Sequence, residues 1–166
     1  STSDPEKILT ETSELKPVSH YARMKIAAEE ALFSQRNPEF APTILRLATV
    51  FGSSNRLRFD LVVNTFAKSA FFNNRITVHG GEQWRPNVHV GDVGRAIIRV
   101  INAPIDIVDR EIFNIGNPRE NRTILELAKL TGEIYPGLDV AVNQANPDKR
   151  NYRVSFDKAK SMIGVD

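Results

Sequence analysis

Tyr21 and Lys25 stand four residues apart in "SHYARMKIAAEEAL", the stretch spanning residues 19–32. In an α-helix, positions i and i+4 share a face, so the phenol and the ammonium would project together into one site. An unperturbed tyrosine titrates at about pH 10, roughly three units too high for a base at neutrality, and a cation held close favours the phenolate. Such a tyrosine can take a proton from an alcohol. The same spacing also suits a ring that packs and a lysine that is merely solvated, so the pair alone names no activity.

A helix must carry the pair, and the surrounding pattern supplies one: Pro17 opens a run through Ile26, Ala27, Ala31 and Leu32 to about Ser34. The first fifteen residues are polar and read as loop. "PTILRLATVFG", closed by Gly52, reads as one buried strand of the parallel kind. Residues 59–72 are again helical, "RITVHG" and "NVHV" are short strands, and a helix starts near Asp92, the expected cap. "EIFNIG" reads as a strand. "NRTILELAKLTGEI" is a helix in which Thr123 and Glu126 have the spacing of a capping box. "LDVAVNQ" is expected as the last strand, and "SFDKAKSMIG" as a short helix stopped by Gly164. This alternation belongs to the α/β class, and no linker divides it.

Composition narrows the functions. With 41% hydrophobic and 25% charged residues, the chain can bury the core of one globular domain. The formal net charge is +2 and the basic residues are spread among acids, which leaves no stripe for nucleic acid. The lack of cysteine excludes disulfides and thiolate metal sites and fits a cytoplasmic location. His20, His79 and His89 show no metal-ligand spacing, so no metal is expected. No signal peptide is recognisable and no apolar run is long enough to cross a bilayer, so no membrane partner is expected.

Four segments, in order, resemble the extended short-chain dehydrogenases/reductases that act as NAD-dependent nucleotide-sugar epimerases and dehydratases. "ETSELKPVSHYARMKIAAEEAL" is similar to that family's acidic loop, proline and Y-x-x-x-K helix, and "LRLATVFG" to the strand after it. "GGEQWRPNVHVGDVGRAI" resembles the segment where an arginine beside the substrate pocket precedes a strand-to-helix turn, and "FNIGNPRENRTILELA" resembles the F-N-[IV]-G segment.

The resemblance implies the C-terminal part of a Rossmann-like, doubly wound parallel sheet plus a smaller α/β substrate-binding domain. Residues 1–52 would end the NAD-binding domain, Tyr-Lys helix included. Residues 53–166 would be mainly substrate-binding, with some elements returning to the Rossmann sheet. The glycine-rich turn that seats the dinucleotide pyrophosphate is absent: neither Gly80-Gly81 nor "GDVG" at 91–94 has its spacing, so the isolated stretch is expected to bind no NAD and catalyse nothing. The resemblance also makes Tyr21 the base that deprotonates a sugar hydroxyl as hydride leaves for NAD or NADP, NAD being favoured, and Lys25 the lysine that holds the nicotinamide ribose. Ser3 in "STS" stands for the serine that hydrogen-bonds the reacting oxygen, with a seam in the numbering expected between Ser3 and Asp4. Arg85 and Arg150 stand where the family places arginines facing the nucleotide diphosphate, which suits their planar forks, and Asn64 resembles a substrate-contacting asparagine.

Other residues have plainer readings. His89 is expected to be packed and hydrogen-bonded, and Trp84 to cover the core edge rather than stack on a base. Ala27, Ala28 and Ala31 would permit a homodimer built on the Tyr-Lys helix. Three functions remain open. A nucleotide-sugar epimerase or dehydratase comes first, although "STSDPE" lacks a clean acid-base pair for dehydration. A reductase of another small carbonyl compound comes second, and a non-catalytic NAD-sensing or RNA-binding relative third.

Overall fold

A computed structural model describes residues 7–37, 39–145 and 150–165. Ser3 and the seam expected between Ser3 and Asp4 lie outside the described residues. The first element, the two-residue strand β1 (Ile8–Leu9), falls where polarity reads as loop, because two residues offer no period to detect. Helix α1 (His20–Ser34) starts after Ser19 rather than at Pro17. Ser19 is extended (φ −132°, ψ 159°) and its hydroxyl accepts from the Ala22 amide at 3.1 Å. No residue of α1 is buried; Ala22, Ile26, Glu29 and Phe33 form a half-buried stripe at helical spacing.

The run expected as one strand is two, β2 (Ile44–Leu47) and β3 (Thr49–Phe51), separated at Ala48. The elements continue as α2 (Val62–Asn73), β4 (Arg75–His79), β5 (Trp84–His89), α3 (Val90–Asn102), α4 (Ile105–Val108), β6 (Ile112–Ile115), β7 (Asn121–Thr123), α5 (Ile124–Ile134), β8 (Asp139–Asn143), β9 (Arg153–Val154) and α6 (Asp157–Ile163). The break at Ala48 has a pairing cause. β2 runs parallel to β6 in the register Ile44↔Ile112, whereas β3 runs parallel to β5 in the register Thr49↔Asn87. One extended stretch thus leaves one ladder for another. β5 also pairs antiparallel with β7, β4 pairs parallel with β8, and β1 pairs parallel with β9, joining Ile8 to Arg153.

The helix caps are local chemistry. Thr123 and Glu126 form the expected capping box: Thr123 Oγ1 accepts from the Glu126 amide at 3.1 Å, and Glu126 Oε2 from the Thr123 amide at 2.7 Å. His89, not Asp92, caps α3, its Nδ1 accepting from the Gly91 amide at 3.2 Å; Asp92 lies one turn inside and pairs with Arg95. His89 is therefore hydrogen-bonded but exposed. Trp84 is half-buried, with the Arg153 guanidinium 4.9 Å over its ring.

Two apolar cores result. Phe113 and Ile115 of β6, Val88 of β5, Val93 and Ala96 of α3, and Ala159 and Ile163 of α6 make one. Ile76 and Val78 of β4, Phe66 and Ala70 of α2, and Leu127 and Ala128 of α5 make the other. Among the described residues no helix is long and apolar enough to cross a membrane.

Candidate active site

The β2–β3 run floors a cleft of about 470 Å³, with Leu47, Thr49, Phe51 and Gly52 along its base. Tyr21 reaches it from α1, Ser54, Arg56 and Arg58 from the segment after β3, and Asn64 from α2. Thr49, Leu61 and Tyr152 also line a second hollow of about 280 Å³, whose walls include Asp60, His79, Gln83, Arg85 and Arg150. The two hollows share those three residues and are therefore neighbours, Tyr21 lining the first and Arg85 and Arg150 the second.

Tyr21 is 71% exposed and Lys25 is exposed beside it, its ammonium 5.6 Å from the Tyr21 ring centroid. Both sit in the first two turns of α1, so the Ser19 cap fixes the phase in which they leave the helix.

Arg85 is buried, and a buried guanidinium needs acceptors. Its Nη1 donates to the Trp84 carbonyl at 2.7 Å and to the Arg150 carbonyl, and its plane lies 5.7 Å from the Tyr152 ring. Arg85 thus ties down the backbone of Arg150, whose own exposed side chain lines the same hollow. Asn64 does more than face the cleft: its Nδ2 donates to the Arg58 carbonyl at 3.0 Å, while Thr65 Oγ1 donates to the Phe59 carbonyl at 2.7 Å. Together they clamp the segment before α2 to that helix.

That segment carries a pair that sequence reasoning missed. Arg58 grips Asp60 with two prongs, Nη2 to Oδ2 at 2.7 Å and Nε to Oδ1 at 3.2 Å. The Arg58 hydrogen bond holds the Asp60 carboxyl below its ordinary value, and Asp60 in turn raises Arg58. Tyr21 adds a smaller Coulombic contribution to Arg58, which marks the two as neighbours in the cleft. The cations of "RLRFD", in the segment between β3 and α2, were the available signal. Tyr152, common to both hollows, follows Arg150 by two residues and had none of its own. Among the described residues no cluster of three or more His, Asp or Glu side chains is placed to hold a metal ion.

Comparison with known proteins adds a family. The model described as the NAD dependent epimerase/dehydratase family matches residues 1–116. UDP-D-apiose/UDP-D-xylose synthase 1 of Arabidopsis thaliana is 36% identical over 58 residues, 35% of this chain and 15% of that protein. The UDP-glucose 4-epimerase of Thermotoga maritima, solved with UDP-glucose, is 30% identical with a TM-score of 0.80, covering 95% of this chain and 51% of that one. MoeE5, solved with UDP-glucuronic acid and NAD, is 27% identical with a TM-score of 0.78, covering 95% of this chain and 53% of that one. The chain therefore spans about half the length of these solved structures and shares their Rossmann-like α/β fold with parallel strand pairs.

Proposed function

Since the chain belongs to the NAD dependent epimerase/dehydratase family, we propose that it forms the Tyr-Lys helix and the substrate cleft of an enzyme that oxidises a hydroxyl of a nucleotide sugar. One observation carries this reading: the cleft lined by Tyr21, which has Lys25 beside it, shares Thr49, Leu61 and Tyr152 with a hollow lined by two arginines. The arginines have the fork geometry for a diphosphate, and the sugar would then extend toward Tyr21. The UDP-sugars bound by MoeE5 and by the Thermotoga enzyme support that substrate class.

The donor set also fits the cofactor. Tyr21 and Lys25 present an exposed hydroxyl and ammonium side by side, the partners that a ribose with free hydroxyls requires. NAD, present in the MoeE5 complex, would supply the hydride acceptor. Tyr21, as phenolate, takes the hydroxyl proton. Lys25, on the adjacent turn, is the proposed partner of the nicotinamide ribose. Arg85 and Arg150 hold the diphosphate, and Arg85 keeps Arg150 at the rim through its backbone. Ser3 is the candidate for the hydrogen bond to the reacting oxygen. Residues 1–52 close the cofactor-binding domain in this reading, and residues 53–166 build mainly the substrate side, with β6 returning to pair with β2. The exposed alanines of α1 are the proposed dimer contact, beside a hollow lined by Ala28, Ala31, Leu32 and Phe40.

The test is Tyr21→Phe in the full-length protein. Turnover should fall by about 10²–10⁴-fold with NAD affinity unchanged, because only the proton acceptor is lost. Near-normal turnover would remove Tyr21 from the chemistry.

A further inference from the structure

Within this chain, helix α1 is held by one half-buried stripe and by two polar clamps. None of its residues is buried, and its contact stripe of Ala22, Ile26, Glu29 and Phe33 is only half covered. Apolar contact of that kind is non-directional and lets a helix roll about its axis. The stripe contains one charged residue. Glu29 receives Arg46 of β2 through both carboxylate oxygens: Nε donates to Oε1 at 3.0 Å and to Oε2 at 3.2 Å, and Nη2 donates to Oε2 at 2.5 Å. Both side chains are about four-fifths covered, at 20% and 19% exposure. The third prong, Arg46 Nη1, reaches the Glu11 carbonyl at 3.2 Å, and Glu11 Oε1 accepts from the Asn114 amide of β6 at 2.9 Å. At the far end Arg110 donates to the Phe33 and Gln35 carbonyls at 2.7 and 2.6 Å. This end clamp sets the height of the helix. A planar fork on a carboxylate is directional and sets its rotation.

Glu29 follows Lys25 by one turn and Tyr21 by two, so the three lie within about 80° of arc on the helix. We propose that Glu29 and Arg46 are positioning residues whose ion pair fixes the roll of α1 and thereby aims Tyr21 into the cleft, with Lys25 beside it. The proposal rests on the reading that Tyr21 does the chemistry. With side chains reaching about 5–6 Å from the axis, a roll of about 10° moves a tip by about 1 Å, and a misplacement of that size can cost on the order of 100-fold in rate.

The experiment uses the full-length protein labelled with 3-fluorotyrosine, the Tyr21 fluorine line being assigned by its loss in Tyr21→Phe. Glu29→Gln and Arg46→Gln should each shift or broaden that line, and the double variant should do little more than either single one. Glu29→Asp keeps the charge but shortens the reach, and should also move the line, which covers the case of a single variant that does not fold. With UDP-glucose as the probe, kcat should fall about 10–100-fold with KM within about twofold, because Arg85 and Arg150 are untouched. A Tyr21 line unchanged in both Glu29→Gln and Glu29→Asp overturns the proposal. Turnover retained in Tyr21→Phe would sink the catalytic reading instead, and the fluorine line would still report on the aim of α1.

Discussion

Replacing Gly116 by alanine should destabilise the protein for a purely steric reason. Gly116 follows β6 at the end of "FNIG", and its φ is not in the left-handed region, so backbone strain plays no part. A Cβ placed there would lie 2.3 Å from Cζ and 2.5 Å from Cε1 of Phe156. Carbon atoms in contact sit at about 3.5–4.0 Å, so the ring must retreat by more than about 1 Å. Phe156 is 3% exposed and stands immediately before α6, whose Ala159 and Ile163 belong to the β6 core. The ring cannot move without lifting that helix. Overpacking of this kind costs about 1–3 kcal/mol, and restricting the unfolded chain returns about 0.4–1 kcal/mol, which leaves a net loss of about 1–2 kcal/mol. In urea titrations of the full-length protein the midpoint should fall with the slope unchanged. Adding Phe156→Leu should recover part of the loss, a coupling that independent sites would lack. An unchanged midpoint in Gly116→Ala, or strict additivity in the double variant, would refute the reasoning.

The capping box of α5 predicts that Thr123→Ala lowers stability by about 1 kcal/mol, read as a drop in Tm, with Glu126→Ala costing less; a Tm equal to wild type would show the cap to be idle. Arg58 depresses the Asp60 carboxyl, so the contact is present above its ordinary value of 3.8 and is lost as pH falls through the lower folded value. Carboxyl NMR of Asp60 should give a midpoint below 3.8 that rises toward it in Arg58→Gln, and a midpoint at or above 3.8 beside an intact Arg58 would contradict the pairing.

Elements with a full period were legible. β4 alternates Ile76 and Val78 inward with exposed neighbours, α3 repeats Val93 and Ala96 on its inner face, and the α5 cap spells its own start. What escaped depended on partners distant in the chain. The break at Ala48 arises because β2 and β3 take different neighbours, and nothing inside "LRLATVFG" records that. Asp92 has the side chain of a cap, yet the extended backbone falls at His89, which takes the role. In the site, the Tyr21–Lys25 spacing is local and could be read directly. The approach of Arg85 to Arg150 was expected only through family resemblance, and the Glu29–Arg46 pair joins a helix to a strand with no shared motif. Asn64 was read as a substrate ligand through the resemblance; it lines the cleft, and the hydrogen bond from its amide nitrogen to the Arg58 carbonyl is the part that no motif announced.

The pairing of β1 with β9 sets a timetable for synthesis. Ile8 and Leu9 leave the ribosome well ahead of their partners Arg153 and Val154. At about 5–20 residues per second the wait is on the order of 10–30 s, long enough for the core of Phe66, Ile76 and Leu127 to assemble first, whereas the other core waits for Ala159 and Ile163 of α6. During that interval Ile8 and Leu9 lack the β9 ladder, and the backbone groups it will satisfy are left to water or to another strand.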